Sequence, residues 1–275
     1  MSNGLIAAAG GLALLAPIHA DAATRAWPAS ISAVYVVNVA GFDLGKFNFR
    51  SSIEAQTYRL SGDSELSWGF GLFKWSASTS SFGTLSGDQI QPKAYIFDFR
   101  SNQKAGSVKL SFDGGSVKSV SIVPPSSDDE GRIPLRRQHL NAVFDPMSAL
   151  IFLSRGSGGN PCGKRIAVFD GQQRFDLLLS FRRQQHVKEE RPSGLPTLTY
   201  VCGVRYVPVA GYKPNSETKA LADATGIEVA LRPVPAANIV LPIKVTIPTL
   251  VGEVSIAART VDIVGPDNGR IALSH

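Results

Sequence analysis

The feature that most constrains the fold of this chain is a recurring pattern of short runs in which apolar and polar residues alternate. Residues 46–50 alternate strictly, and residues 33–40 before them are rich in β-branched and aromatic side chains. Glycines at positions 41 and 45 bound the break between the two runs. A period of two is typical of strands with one buried face, so this stretch predicts a hairpin.

Similar runs continue almost to the end of the chain, which predicts an all-β fold with one or two short helices. The further predicted strands cover residues 57–62, 65–68, 72–76, 81–85, 93–100, 107–112, 116–123, 165–169, 174–181, 197–207, 227–231, 239–247 and 254–264. Asp113-Gly114-Gly115 is a strong hairpin signal. Pro242 and Pro248 each remove a backbone donor, which predicts that their strand lies at a sheet edge or is bent.

Two short helices interrupt the strands. Asp145-Pro146 predicts a helix start, because the aspartate accepts free amide hydrogens and proline fits the first turn. This helix runs through Ser154, and a second is predicted over residues 217–225. The charged stretch at residues 182–191 predicts a solvated connection.

The strands predict one continuous domain over residues 23–275. The loop at residues 124–132 is the only plausible linker, and strands of one type flank it on both sides. We expect a large curved antiparallel sheet, partly closed into a barrel or a β-spiral. Such a sheet must fill its inside. We therefore expect the helix after Asp145 at its concave side or its mouth.

The first 22 residues predict a cleaved export signal. Residues 5–18 carry no charge, and the small-x-small sequence Ala20-Asp21-Ala22 is typical of a cleavage site. A spanning helix needs about 20 residues, so this run is short for an anchor. The first basic residue is Arg25, so either the terminal amine supplies the usual positive charge or the natural start lies upstream. The alternative is a buried N-terminal helix. With the signal removed, we expect a periplasmic protein without a transmembrane anchor.

The chain contains two cysteines, Cys162 and Cys202, and both follow the predicted cleavage site. An even count in an oxidising compartment predicts one structural disulfide. Free thiols or a redox role are the alternatives, although the spacing is not that of a CxxC motif. The histidines have no metal-ligand spacing, so we expect no metal and no cofactor.

The formal net charge of +6 suits contact with an anionic envelope surface, although an ordinary basic protein has the same charge. The basic residues are scattered rather than arranged in a stripe, so nucleic acid is not an expected partner.

Catalytic constellations are sparse, and we expect no enzyme. No serine lies in a G-x-S-x-G turn. Asp145 would form a glycan-hydrolysing pair with either Asp170 or Asp176 if the helix packed near the following hairpin. Each also has a local structural explanation, as a helix cap, a turn residue and an exposed strand residue.

Three aromatic residues lie close together in the sequence, at Trp68, Phe70 and Trp75. They are candidates for ligand contact, as a platform for a carbohydrate or a lipid. The alternative is that they fill a core.

Several segments, in order, resemble an exported bacterial family called domain of unknown function 3108. They are residues 33–35, 41–45, 91–95, 145–150, 161–162, 168–171 and 174–176. The similarity spans roughly residues 33–210. It implies a periplasmic protein with a strongly curved antiparallel sheet and a non-enzymatic envelope role, and it carries over no catalytic residues.

We therefore expect a non-catalytic periplasmic protein that contributes to cell-envelope integrity through a contact with protein, lipid or cell wall. The alternative is a lipid or lipoprotein carrier that holds an acyl chain on the concave face. A glycan hydrolase is the third hypothesis. A carrier requires an apolar cavity, a hydrolase requires two carboxylates within about 5–10 Å of each other in a cleft, and a scaffold requires an exposed patch.

Overall fold

The computed structural model describes residues 27–69, 71–87, 89–125, 130–156, 158–249 and 252–275. The predicted signal at residues 1–22 lies outside them. The helices are α1 (Pro146–Ser154) and α2 (Ser216–Asp223). The strands among the described residues are β1 (Ser30–Val39), β2 (Phe42–Glu54), β3 (Thr57–Trp68), β4 (Phe73–Ser86), β5 (Gln89–Ser101), β6 (Ala105–Asp113), β7 (Ser116–Val123), β8 (Arg165–Phe169), β9 (Arg174–His186), β10 (Leu198–Ala210), β11 (Glu228–Val234), β12 (Ile239–Thr249), β13 (Gly252–Val264) and β14 (Arg270–Ser274).

All of these strands belong to one antiparallel sheet, which confirms the predicted fold class. The order is β7-β6-β5-β4-β3-β2-β1-β13-β12-β11-β10-β9-β8, and β14 pairs with β13 outside this path. β1 joins the two halves, because it pairs with β2 on one side and with β13 on the other. Strands from both sides of residues 124–132 therefore share one sheet, which is not closed into a barrel.

The turns follow the glycine signals of the sequence. Between β6 and β7, Gly114 and Gly115 have φ values of 56° and 78°. Asp113 pairs with Ser116 across this turn. A two-residue turn with positive φ at both central positions matches the right-handed twist of the strands, and glycine adopts it without a Cβ clash.

Helix α1 lies inside the curve of the sheet. Asp145 caps it as predicted and accepts the backbone N–H groups of Met147 and Ser148. α1 contacts β4 and β5 from one end of the strand order, and β8 and β12 from the other. A flat sheet cannot bring such distant strands to one short helix, so the sheet curves around α1.

The helix separates two parts of the core. Met147 and Ile151 pack with buried residues of β3 to β6, including Tyr58 and Leu60. Ala149 and Leu153 pack with a second group that includes Leu231 and Cys202. Because both sides of α1 contact the sheet, the helix contributes to the core around most of its circumference.

The structure corrects four local predictions. The pairs of predicted strands over 57–68 and 72–85 are single strands, β3 and β4. β9 continues to His186, so the connection predicted at residues 182–191 is half strand. β14 was missed.

The edge position predicted for β12 is wrong, since this strand lies between β11 and β13. Pro242 pairs with Leu231 of β11, just before a register shift, and pairing with β13 begins only at Lys244. Pro248 pairs with β13 beyond the last residue that pairs with β11. Each proline therefore lies where the strand has a partner on one side only, and its missing N–H breaks no ladder bond.

Candidate ligand-binding face

The strand register defines which side chains face the helix. Residues directly opposite each other in neighbouring strands share a face of the sheet. Tyr58 pairs with Ile53 of β2 and with Gly83 of β4, and it packs against α1. Counting in steps of two from Tyr58 along β3 leads to Leu66 and Trp68 on the same face. We call this helix-facing side the concave face.

The concave face is covered at one end and open at the other. Near α1 its side chains are buried, as at Tyr58, Leu60 and Tyr95. At the far end, the directly paired Trp68 and Phe73 are 65% and 47% exposed. Phe42, which is opposite Val39, is 68% exposed. The nine-residue helix is too short to cover strands of ten to fourteen residues, which leaves half of the face open.

A cavity of about 190 Å³ lies where the helix ends and the open half begins. The residues that line it are almost all apolar and come from α1, β1, β2, β12, β13 and the segment before β1: Trp27, Ile31, Tyr35, Phe47, Phe49, Ser51, Ile53, Leu150, Ile151, Ser154, Leu241, Pro242, Val245 and Ile256. The Tyr35 hydroxyl donates to the Pro242 carbonyl at 2.9 Å. Burial raises the pKa of Tyr35 well above its usual range. The cavity therefore presents apolar surface with few polar groups.

Two aromatic rings on the open half pack closely against glycines of the neighbouring strands. A Cβ added at Gly62 would lie 2.6 Å from the Phe47 ring, and one added at Gly106 would lie 2.5 Å from the Phe99 ring. Phe97 and Phe99 stack with ring centroids 5.9 Å apart. Any side chain at these two glycines would lift the rings, so the glycines keep the floor of the face smooth and apolar.

The opposite face of the same strands is polar. Lys46, Asn48 and Arg50 alternate with the inward phenylalanines of β2. Asn48 donates to Asp63 of β3 at 2.7 Å, and Arg50 forms an ion pair with the same carboxylate at 3.2 Å. On β2 and β3, apolar side chains therefore face the concave side, and the charged side chains face the other side.

The β3–β4 turn extends the concave face at its open end. Leu72 in this turn is 82% exposed. The side chain of Asn102, in the β5–β6 turn, accepts from Lys74 N at 3.0 Å and donates to the Leu72 carbonyl at 2.6 Å. These two bonds tie neighbouring hairpins together and hold the apolar residues outward.

The sequence singled out part of this face. Trp68 is exposed and Trp75 is half-buried, and neither belongs to a core cluster. Phe70 lies outside the described residues. Phe42, Leu72 and Phe73 were not identified from the sequence. They are exposed because α1 is too short to cover this end of the concave face, and the sequence does not show that. The available signal for an apolar face was the alternation in β2, which predicted that one face of this strand is buried.

Comparison with protein families identifies the chain. A family described as protein of unknown function, DUF3108, matches residues 34–258. The chain belongs to this family. No curated protein matches the chain. A solved structure that it resembles is the beta-barrel-like protein of domain of unknown function DUF1849 from Brucella abortus, with 10% identity and a TM-score of 0.48, covering 88% of this chain and 99% of that one.

In this DUF3108 member, a buried polar network fixes α1 to the sheet. Asp145 Oδ2 accepts from the hydroxyls of Ser148 and Ser81. The hydroxyl of Tyr58 lies 2.7 Å from that of Ser148. Burial raises the pKa of Asp145, and the hydrogen bonds to Ser148, Ser81 and Met147 oppose that rise. The sequence predicted the cap but not its partners, which come from β3 and β4.

Replacing Asp145 with alanine is expected to lower the free energy of unfolding by about 2–3 kcal/mol, because the helix loses its cap and buried hydroxyls lose their acceptor. Asp145→Asn keeps one oxygen for the amides and offers an NH₂ to the serines, so about half of that loss is expected. Urea denaturation at neutral pH measures both. Equal losses in the two variants would contradict the role of the network.

The other two candidate carboxylates also have structural partners. Asp170 accepts Gln172 N and Gln173 N at 2.8 and 2.7 Å in the β8–β9 turn, and burial raises its pKa. Asp176 forms ion pairs with Arg165 and Arg174 at 2.6 and 2.8 Å. It is buried and not on an exposed face as predicted. Since Asp145 and Asp176 do not reach solvent, a polysaccharide has no access to that pair.

The predicted disulfide is present. Cys162 and Cys202 are bonded, with their Cα atoms 5.5 Å apart. The bond fastens the connection between α1 and β8 to the buried strand β10. Among the described residues there is no group of three or more His, Cys, Asp or Glu side chains placed to share a metal ion. Nor does any helix in these residues have the length and hydropathy to cross a membrane.

Proposed function

We propose that this protein is a non-catalytic periplasmic binding protein that holds an acyl chain on the open half of its concave face. The observation that carries the proposal is the exposed apolar surface from the cavity beside α1 to Trp68 and Phe73. Exposed apolar area costs roughly 25 cal/mol per Å², and contiguous patches of this kind mark sites of interaction. Lipid is then the envelope contact, among the protein, lipid and cell-wall contacts expected from the sequence.

The chemistry of the lining favours an alkyl chain over a sugar or a charged molecule. A bound polar group needs a partner, because an unsatisfied group that is buried costs about 1–3 kcal/mol. The cavity offers the hydroxyls of Ser51 and Ser154, while that of Tyr35 is already bonded to Pro242. An acyl chain makes no such demand and gains from each methylene that it buries.

The size of the cavity fits the end of a chain rather than a whole compact ligand. Sites that enclose drug-sized molecules measure roughly 300–1,000 Å³, and this cavity measures about 190 Å³. The ligand would insert one end beside α1 and extend over the rings of Phe47 and Phe99. The export pattern at residues 1–22 and the disulfide support the periplasmic location.

A fluorescent long-chain fatty acid tests the proposal directly. Trp27 lines the cavity, and Trp68 and Trp75 are on the same face, so all three tryptophans of the chain report on it. We expect saturable energy transfer from tryptophan to the bound probe, and displacement of the probe by unlabelled fatty acid.

A pair of substitutions at Leu150 provides the matched control. Leu150 projects from α1 into the cavity. Leu150→Trp fills the cavity and is expected to weaken binding at least tenfold, equivalent to about 1.4 kcal/mol. Leu150→Ala enlarges it and is expected to leave binding intact. Absence of saturable transfer, or equal weakening by the two variants, would overturn the proposal.

A further inference from the structure

The tips of the hairpins β1–β2 and β3–β4 carry an apolar cluster that faces solvent. It consists of Phe42, Trp68, Leu72 and Phe73, which we call the apolar tip. These residues are 68%, 65%, 82% and 47% exposed. Both turns lie at the same end of the sheet, because the strands are consecutive and antiparallel.

We propose that the apolar tip inserts into the surface of a lipid bilayer and docks the protein there. This goes beyond the proposed function, since a carrier also needs a way to approach the membrane that donates or receives its ligand.

The shape of the tip favours a bilayer over a protein partner. Stable protein interfaces involve roughly 20–30 residues on each side, whereas four side chains on two adjacent turns form a small projection. Shallow insertion into the headgroup region needs only a few apolar side chains that penetrate about 5–10 Å. Tryptophan suits that depth, because its ring is apolar and its N–H remains near water.

The tip is held in its exposed arrangement. Asn102 bonds to both sides of Leu72 and Phe73, at the Leu72 carbonyl and at Lys74 N. Within the turn, Leu72 N donates to the Gly69 carbonyl at 3.1 Å. Because the turn is fixed before docking, little conformational entropy is lost when the side chains insert.

Two lysines beside the tip complement an anionic membrane surface. Lys74 follows Phe73 directly, and Lys104 lies in the β5–β6 turn next to Asn102. Within the described part of the chain, neither forms an ion pair. The acidic residues at this end include Asp43, which bonds to Asn38, and Glu253, which lies 3.8 Å from Lys244. A lysine near an anionic surface contributes about 1 kcal/mol.

The position of the tip connects the membrane to the candidate binding face. Trp68 and Phe73 belong to the concave face and are also part of the tip. A bilayer that receives the tip would meet the open half of that face, and an acyl chain would pass from one to the other without crossing water.

Vesicle binding by the full protein tests the inference. With vesicles of phosphatidylethanolamine and phosphatidylglycerol, we expect co-sedimentation and a blue shift of tryptophan emission, and lipids brominated near the headgroup should quench Trp68. Leu72→Ser/Phe73→Ser should reduce binding at least tenfold. The matched control is Phe181→Ser, since Phe181 is 47% exposed like Phe73 but lies in β9. Lys74→Gln should weaken binding to these vesicles about fivefold, as expected for about 1 kcal/mol.

The outcomes separate this inference from the proposed function. Leu150→Trp should still bind vesicles, and Lys74→Gln, which leaves the apolar lining intact, should still bind the fluorescent fatty acid in solution. If wild-type protein does not bind vesicles, or if Phe181→Ser weakens binding as much as the tip variant, membrane docking by the tip is wrong, whatever the fatty-acid result.

Discussion

Replacing either cysteine with alanine is expected to lower the free energy of unfolding by about 4 kcal/mol. Cys162 and Cys202 are 40 residues apart. Closing a loop of that length removes conformational entropy from the unfolded chain, and the chain-entropy model gives about 4 kcal/mol. For a protein of this size the loss corresponds to a fall in melting temperature of roughly 8–16 °C.

The two single variants distinguish the effect of the cross-link from that of packing. Cys202 is fully buried, whereas Cys162 is only half-buried. If loop closure dominates, Cys162→Ala and Cys202→Ala will lose the same stability within about 1 kcal/mol, and reduction of the wild type will match them. A much larger loss for Cys202→Ala would mean that its packing matters more than the bond. Urea denaturation of the purified, disulfide-bonded protein, with and without dithiothreitol, provides the comparison.

The sequence predicted the strands well where alternation and glycine turns coincide, as at β1, β2, β6 and β7. The sequence predicted two strands, residues 57–62 and 65–68, in place of β3, because small and polar residues weaken a strand pattern. In the folded chain the ring of Phe47 covers Gly62 and supplies the missing packing. A neighbouring strand therefore completes β3, which no local window of sequence contains.

The candidate site was predictable only in part. Trp68 and Trp75 are identified because aromatic residues lie close together in that part of the sequence, and α1 is predicted from its capping residue. Which aromatic residues remain exposed depends on how far α1 reaches across the concave face, and this is a tertiary property. In the sequence, Phe42 and Phe73 are aromatic residues of strands, as is the buried Tyr58. Their side-chain type therefore does not distinguish the exposed residues from the buried one.

Arg232 is the clearest case of a residue whose environment could not be foreseen. The predicted strand ends at Leu231, one residue earlier, and a charged residue seldom lies in a core. The Arg232 side chain is nevertheless fully buried, with its Nη1 2.7 Å from Oε1 of Glu189, which is 7% exposed. Glu189 comes from the stretch that was predicted to be a solvated connection. The opposite charge of each residue offsets part of the cost of burying the other.

Removing one member of this pair is expected to have a large effect. Arg232→Met should lower the free energy of unfolding by about 3–5 kcal/mol at neutral pH, because Glu189 is left buried without its countercharge. Arg232→Met/Glu189→Leu removes both charges and should cost much less than the single substitution. Urea denaturation of the three proteins gives the comparison, and a double variant less stable than Arg232→Met would contradict it.

The same pair makes stability depend on pH in the acid range. Desolvation alone would raise the pKa of Glu189, but hydrogen bonds from Ser193 and Arg232 outweigh it and lower the pKa to about 2. A folded-state pKa below the usual value of 4.5 stabilises the fold above that pH, and the stabilisation disappears as pH falls towards 2. The expected loss is about 3 kcal/mol.

The double variant isolates this contribution. His275 also lies near the pair. Burial lowers its pKa, Arg232 lowers it further and Glu189 raises it. The double variant removes these two opposing charges together and leaves the effect of burial in both proteins. The difference in unfolding free energy between wild type and Arg232→Met/Glu189→Leu should therefore stay level from pH 7 to about 5 and then shift by about 3 kcal/mol towards the variant as pH falls to about 2. A constant difference over the whole range would mean that Glu189 titrates at its ordinary pKa and that its ion pair does not stabilise the fold.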